Sequence, residues 1–342
     1  MSAYSIGVDL GGTNLRVGAF LSNGQCLSSH SGKTRLADGP EVVVADMVEN
    51  VRALELECGE GRDLVGIGIG TPGPLELPAG ILRNPPNLPG WDGFQLRLII
   101  ERTLGQHVIL ENDANVAALA EALFGTGQQY GITSLCMLTL GTGVGSGIVL
   151  NGRIWSGSFG MGGEAGHITV FEDGEPCGCG SHGCLEQYAS ATAICRMADE
   201  EGVASHIDGE VTAEAVAALA ADHDASALRL FQRVGKSLGI ALGDLINTLN
   251  LPLYVIGGGV AKSWGLFAPA MFEELEHRSY VYRLTRPNNG AGRKPNQTDI
   301  VSAHCGPAAG LLGAAMLPFS SNGFAVPGSQ AREVVSNEAP IA

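Results

Sequence analysis

Residues 4–21 of this 342-residue chain read YSIGVDLGGTNLRVGAFL. Two apolar runs, residues 4–10 and 15–21, each predict a buried strand, and a short polar turn joins them. The pair Asn23-Gly24, directly after the second run, is a further hairpin signal. The chain therefore opens with antiparallel strands around a glycine-rich turn.

The turn carries groups that suit phosphate. Asp9 ends the first strand, and Gly11 and Gly12 allow a tight turn with exposed backbone amides, followed by Thr13 and Asn14. Amides in such a turn bind phosphate oxygens, and a carboxylate can hold Mg²⁺ through water. The alternative is an ordinary hairpin turn. The turn is neither a Walker loop nor a Rossmann turn, because a strand follows it.

A second stretch repeats this pattern. Residues 134–150, SLCMLTLGTGVGSGIVL, again place a glycine- and threonine-rich turn between two apolar runs, with Gly141, Thr142 and Gly143 at its start. We interpret the two stretches as an internal repeat, one copy per domain. Two such turns facing each other would clamp a polyphosphate from both sides.

A third glycine cluster, Gly257-Gly258-Gly259, follows the apolar run 253–256. It would let the adenosine part of a nucleotide lie against the backbone, or it is a simple connector.

Apolar runs and helical periods alternate along the chain, which indicates an α/β fold. Further strands are predicted at 64–70, 107–110 and 134–140, and helices at 40–57, near 93–104, and at 114–124, 186–201, 212–221, 226–249 and 305–317.

The composition excludes several classes of protein. The chain is 45% hydrophobic and 16% charged, unlike a disordered chain, and its 342 residues suffice for about two domains. A formal charge of −15 opposes binding to nucleic acid or to anionic membranes. No apolar run is long enough for a membrane span, and the N-terminus does not resemble a secretory signal. We therefore expect a cytoplasmic protein that binds neither nucleic acid nor membrane.

Asp113 is a candidate functional carboxylate. It lies in Glu111-Asn112-Asp113-Ala114-Asn115, between a predicted strand and a predicted helix. At that position the carboxylate can be exposed in a cleft, and the helix N-terminus helps to keep it ionised. The alternative is that Asp113 is the N-cap of the helix, and the two roles are compatible.

A cysteine cluster indicates a zinc site. His167, Cys177, Cys179 and Cys184 lie within 18 residues and supply the four ligands of a structural zinc. The alternatives are a disulfide with a spare thiol, or inert thiols. His182, inside the loop, is expected to face solvent.

The glycine-threonine turns and the base resemble those of the superfamily of sugar kinases, actin and heat-shock ATPases. Together with the cysteine loop and residues 84–91, NPPNLPGW, they resemble the ROK family (repressors, open reading frames and sugar kinases) over about residues 4–317. Within that family the chain resembles most the bacterial ROK-type glucokinases. The resemblance implies an actin-like, ribonuclease H-like fold with two domains around a cleft, built from residues 1–112 plus 303–342 and from residues 113–302.

The resemblance also implies an activity, transfer of a phosphoryl group from ATP to the 6-hydroxyl of glucose with Mg²⁺ and a structural Zn²⁺. Asp113 would be the general base. The implied sugar-binding residues are Asn87, Asn112, Asp113, Glu164, His167 and Glu186. The implied nucleotide- and phosphate-binding residues are Asp9, Gly11, Gly12, Thr13, Asn14, Gly141, Thr142, Gly143, Gly257, Gly258 and Gly259. The implied zinc ligands are His167, Cys177, Cys179 and Cys184.

Several alternatives stay open at this point. The hexose is glucose, or else N-acetylglucosamine, N-acetylmannosamine, mannose or fructose, and the donor is ATP or polyphosphate. A sugar-responsive regulator shares the family core, but no helix-turn-helix pattern precedes the first strand. The assembly expected from the family is a homodimer or homotetramer. The polar loop 285–298 and the tail after residue 318 are longer than the family pattern.

Overall fold

The computed structural model describes residues 2–85, 87–288 and 293–321. Residues 289–292 of the polar loop and 322–342 of the tail lie outside these ranges. The composition of the tail predicts that it is poorly ordered, and this prediction therefore falls outside the described residues. Among the described residues, no helix is both long enough and apolar enough to cross a membrane.

The elements alternate as an α/β fold requires. The strands are β1 (Ser2–Leu10), β2 (Asn14–Leu21), β3 (Cys26–Lys33), β4 (Arg62–Thr71), β5 (Leu75–Glu76), β6 (Ile81–Leu82), β7 (Val108–Asn112), β8 (Leu135–Leu140), β9 (Val144–Leu150), β10 (Arg153–Ile154), β11 (Leu253–Gly257) and β12 (Asp299–Ser302). The α-helices are α1 (Pro40–Cys58), α2 (Leu96–Leu104), α3 (Asp113–Leu123), α4 (Thr126–Tyr130), α5 (Glu186–Ala189), α6 (Ala191–Glu200), α7 (Ala213–Ala221), α8 (Ala225–Leu249), α9 (Trp264–Arg278), α10 (Tyr280–Thr285) and α11 (Ala309–Ser321).

Two five-stranded sheets have the same plan. The first has the order β3-β2-β1-β4-β7, and the second has the order β10-β9-β8-β11-β12. In each sheet the first two strands of the repeat are antiparallel, and two further strands add in parallel. The predicted repeat is therefore a repeat of sheet topology, and both glycine-threonine turns occupy the same place in it.

Helix α3 lies between the two halves. It packs against β9 of the second sheet and against α11, which itself lies on β1 and β4 of the first sheet. Gly147 in β9 and Gly313 in α11 allow α3 to approach both elements closely, since a Cβ at either position would overlap the backbone of α3. The packing of α11 on the first sheet supports its assignment to the first domain, and the exact domain boundaries stay a prediction.

Several elements differ from the expectations. The sequence did not predict β5, β6, β12, α4, α9 and α10, and three further differences have a physical cause in the sequence. Strand β3 was not predicted, because CLSSHSGK is a polar and largely exposed edge strand without an apolar alternation. The single helix expected at 186–201 is two helices, because Ser190 is extended and its side chain caps α6 by accepting a hydrogen bond from Ala193 N. The last described helix runs to Ser321, beyond the predicted end at residue 317.

Candidate active site

A cleft of about 720 Å³ lies between the two halves. Both halves line it, and all six of the sugar-binding and base residues expected from the sequence meet there. Its lining residues include Asn87, Asn112, Asp113, Gly141, Thr142, Gly143, Glu164, His167, Glu186 and Gly258.

Asp113 stands at the junction of strand and helix, where β7 ends at Asn112 and α3 begins. The N-cap of α3 is Asn112, not Asp113: the Asn112 side chain accepts hydrogen bonds from Ala114 N at 2.9 Å and from Asn115 N at 3.4 Å. Asp113 is the first helical residue, and its Oδ1 accepts from Ala114 N at 2.8 Å. Because Asn112 caps the helix, the cap interpretation does not account for a carboxylate at position 113.

Burial, against the hydrogen bond from Ala114 N–H and with the nearby charges of Asp9 and Glu164, raises the pKa of Asp113 from 3.8 to about 6. A carboxylate with a pKa near neutrality is ionised at pH 7 yet accepts a proton readily. Those are the properties of a general base.

Glu111 stabilises the junction of β7 and α3, and it was not among the predicted site residues. It is buried, and its Oε1 accepts from Asn112 N and from Asn115 Nδ2, both at 2.9 Å. Burial raises the pKa of this carboxyl group. Glu111 thereby fixes the backbone that presents Asn112 and Asp113 to the cleft.

The first glycine turn lies beside the cleft wall. Gly11 N donates to Asn14 O at 2.9 Å, and Gly12, Thr13 and Asn14 are exposed. Gly12 faces Asn87, because a Cβ on Gly12 would lie 3.4 Å from the carbonyl oxygen of Asn87. Residues 9 and 11–14 are not part of the cleft lining itself, unlike the second turn.

Asp9 has a cation opposite it in the hairpin. The register pairs Asp9 with Arg16, whose Nη1 lies 3.7 Å from Asp9 Oδ2. Burial raises the pKa of Asp9, and the charge of Arg16 opposes that rise. Arg16 was not among the predicted site residues, although the pairing across a turn centred on residues 12 and 13 would have indicated it.

The second glycine turn is held by the segment that follows the cysteine loop. Gly141 N donates to Gly143 O at 2.9 Å, and Gly141 O accepts from Ala191 N at 2.8 Å. Glu186 Oε2 accepts from Val144 N at 2.9 Å. The break before α6, which the sequence did not predict, is what brings Ala191 to the turn.

The third glycine cluster divides between two cavities. Gly258 lines the cleft, whereas Gly257 is the buried end of β11. Gly259 borders a separate cavity of about 170 Å³, which Glu214 and Lys262 also line. The predicted cluster therefore lies between the cleft and this smaller cavity.

The four predicted zinc ligands converge. One ligand atom from each of His167, Cys177, Cys179 and Cys184 lies within 4.8 Å of all the others. Cys179 Sγ and Cys184 Sγ are 3.7 Å apart, and Cys177 Sγ is 3.6 Å from His167 Nδ1. Zn–S bonds of about 2.3 Å at tetrahedral angles place two sulfurs about 3.8 Å apart, so the spacing fits zinc.

The disulfide alternative does not fit, because all eight cysteines are free and a disulfide needs sulfurs about 2.0 Å apart. His182 is exposed and outside the four-residue cluster, as expected. With Nδ1 of His167 at the cysteines, Nε2 is the ring nitrogen left for the cleft that His167 lines.

Two further carboxylates flank this imidazole. Glu164 and Glu186 both line the cleft, one before and one after the cysteine loop. Partial burial raises the pKa of Glu164, the charge of Glu186 raises it further, and His167 opposes the rise. These acceptors, together with the imidazole, suit a ligand that carries several hydroxyl groups.

Arg83 also lines the cleft and was not predicted. It follows β6 and forms an ion pair with Glu76 in the same small hairpin. Nothing in the sequence near Arg83 distinguishes it from other surface arginines, and only the folding of the hairpin over the cleft brings it there.

Comparison with known proteins agrees with this geometry. The chain is 37% identical to a glucokinase of Halalkalibacterium halodurans over 300 residues, covering 84% of this chain and 88% of that protein. A solved ROK hexokinase of Thermus thermophilus superposes with a TM-score of 0.77 at 34% identity, covering 94% of this chain and 99% of the other. A ROK glucokinase of Streptomyces griseus, solved with glucose and AMPPNP, superposes with a TM-score of 0.72 at 31% identity, covering 92% and 98%. The model of the ROK family matches residues 5–320, so the chain belongs to the ROK family.

Proposed function

We propose that this protein is an ATP-dependent kinase that transfers the γ-phosphoryl group to the 6-hydroxyl of glucose. The observation that carries the proposal is the position of Asp113, a carboxylate with a pKa of about 6, in a cleft that a glycine-threonine turn also lines. The relatives named glucokinase, and the neighbour solved with glucose and AMPPNP, support this choice of substrates.

The phosphate end of the cleft would be formed by the two glycine turns. Phosphoryl transfer depends mainly on positioning and on neutralising charge, with a group to accept the hydroxyl proton. The exposed amides of the first turn and the turn at Gly141–Gly143 would hold phosphate oxygens. Asp9 is the carboxylate placed to hold Mg²⁺ through water, and the ion when bound would neutralise phosphate charge. The adenosine would lie toward Gly258 and Gly259, at the small cavity.

The sugar end would be formed by acceptors and donors in pairs. Asn87, Asn112, Glu164, His167 and Glu186 would bind the hydroxyls, with Asp113 at the 6-hydroxyl. As its proton leaves for Asp113, the 6-oxygen attacks the γ-phosphorus and ADP departs. The zinc would be structural, held by His167, Cys177, Cys179 and Cys184, because four protein ligands leave no open position for an activated water.

The test is ADP release measured over a panel of hexoses, with ATP and polyphosphate compared as donors. We expect glucose with ATP to give the highest kcat/KM and 6-deoxyglucose to give no turnover. A higher value for N-acetylglucosamine, N-acetylmannosamine, mannose or fructose would reassign the sugar. Absence of ADP release with every sugar, together with retention on DNA, would favour a regulator instead.

The rate should depend on the ionisation of Asp113. Only the carboxylate accepts a proton, so kcat/KM for glucose should rise with pH up to about 6 and be level above it. The measurement is the initial rate between about pH 5 and pH 8 with glucose well below its KM and ATP saturating. A rate that is constant across pH 5–7 would contradict the assignment.

The two halves should close on the sugar. The phosphate turns belong to different sheets, and Asp113 lies at their junction, so closure would bring the groups together and exclude water that competes for the phosphoryl group. Small-angle scattering should show a smaller radius of gyration with saturating glucose. An unchanged radius at confirmed full occupancy would count against closure.

A further inference from the structure

The chain passes between the two sheets at two places. It leaves the first sheet at β7 and reaches β8 through α3 and α4, and it returns from β12 to α11 through residues 303–308. Glu121, near the C-terminal end of α3, is completely buried and lies where these two passages meet.

The carboxylate of Glu121 bonds to both passages. Its Oε2 accepts from Thr126 N at 2.9 Å and from Thr126 Oγ1 at 2.7 Å, at the start of α4. Its Oε1 accepts from His304 N at 2.8 Å and from Cys305 N at 2.6 Å on the return passage. Four donors satisfy the buried charge, which a buried carboxylate requires. Gly125 leaves no spare room, because a Cβ there would overlap Glu121 Oε2.

Each passage also reaches the proposed reaction centre. Helix α3 begins at Asp113, the proposed base. Pro307 lies in the return passage, and its carbonyl oxygen accepts a hydrogen bond from Arg16 at 2.6 Å. The passage then runs into α11, where Gly310 lies against the carboxylate of Asp9. A shift between the passages at Glu121 would therefore shift Asp113 relative to Asp9.

We propose that Glu121 is a positioning residue that fixes the helix bearing Asp113 relative to the segment behind Asp9, and so aligns the base with the phosphate. The inference rests on the proposed kinase function. Glu121 touches neither substrate, and its effect would come through alignment, to which phosphoryl transfer is sensitive: a misplacement of about 1 Å can cost about 10²-fold in rate.

The test compares kcat with glucose affinity. In Glu121→Ala the bond between the passages is lost, and kcat should fall by about 10-fold or more. The dissociation constant for glucose, measured by calorimetry without nucleotide, should change less than about threefold, because only Asn112 and Asp113 of the proposed sugar-binding residues move with α3, whereas Asn87, Glu164, His167 and Glu186 lie elsewhere. Glu121→Gln should restore most of kcat, because its carbonyl still accepts from His304 N and Cys305 N and so keeps the bond between the passages. Its NH₂ can donate to Thr126 Oγ1 but not accept from Thr126 N, so this variant should lose thermal stability.

Thr126→Val is the matched control. It removes one hydrogen bond to the same carboxylate but keeps the bonds to His304 and Cys305, so it should lower thermal stability and leave kcat unchanged. A folded Glu121→Ala protein with wild-type kcat, or an equal loss of kcat in Thr126→Val, would overturn the inference.

A second variant covers the case in which Glu121→Ala does not fold. Gly125→Ala keeps the carboxylate but pushes it aside, and it should lower kcat with glucose affinity retained; wild-type kcat in this variant would overturn the inference. Failure of the proposed function looks different, because the wild-type protein itself would then release no ADP with any sugar.

Discussion

Asp113→Asn should lower kcat by at least about 100-fold while glucose still binds. The amide keeps the shape of the carboxylate and the hydrogen bond from Ala114 N, but it cannot take the proton of the 6-hydroxyl. Asn112 remains the cap of α3, so the helix should begin at the same residue. The measurements are kcat from ADP release and the dissociation constant for glucose from calorimetry, which we expect to change less than about threefold.

The same variant should be more stable than the wild type at pH 8. Folding raises the pKa of this carboxyl group from 3.8 to about 6, so the folded wild-type protein loses stability as the pH rises through that window. Above it, the ionised carboxylate costs the folded state about 3 kcal/mol, which an amide does not incur. Thermal unfolding at pH 8 and pH 4 should show that the stability difference between the variant and the wild type shrinks at the lower pH.

An Asp113→Asn protein that retains more than about a tenth of the wild-type kcat would show that Asp113 is not the general base.

Loss of zinc should weaken glucose binding by about 10- to 100-fold. The metal on Nδ1 of His167 would leave the proton on Nε2, where it can be donated to a sugar hydroxyl. It would also fix the loop between Glu164 and Glu186. Cys177→Ser is the variant of choice, because Cys177 is buried and outside the cleft lining, whereas Cys179 lines the cleft itself.

The measurements are zinc content by elemental analysis and glucose affinity by calorimetry, both on folded protein. Cys195→Ser is the control, because Cys195 lies outside the cluster and a serine keeps its hydrogen bond to Val211 O. Folded Cys177→Ser protein that lacks zinc but binds glucose normally would show that the metal only holds the loop together. A wild-type protein without stoichiometric zinc would show that His167 and the three cysteines do not form a zinc site.

Local patterns were enough for much of the site. The strand-turn-strand repeat predicted both glycine-threonine turns, and the spacing of His167 and the three cysteines predicted a cluster whose atoms the fold brings together. These features could be predicted because each depends on residues close together in the chain. Even so, the neighbouring Asn112 rather than Asp113 is the cap, since both residue types suit that position.

Contacts between distant parts of the chain could not be predicted. Glu121 meets the amides of His304 and Cys305, about 180 residues away, and no periodicity in the helix marks it as different from other helical glutamates. The polar edge strand β3 is defined by its pairing with β2 and not by its own residues. Arg83 reaches the cleft only through the fold of its hairpin.

The most direct test of the proposed function is to follow glucose and Mg·ATP with the zinc-loaded wild-type protein by ³¹P NMR, with Asp113→Asn alongside. We predict that ADP and a hexose 6-phosphate appear in equal amounts with the wild type, and at a rate at least about 100-fold lower with the variant. A phosphate on another hydroxyl, equal rates for the two proteins, or no sugar phosphate from the folded wild type would contradict it.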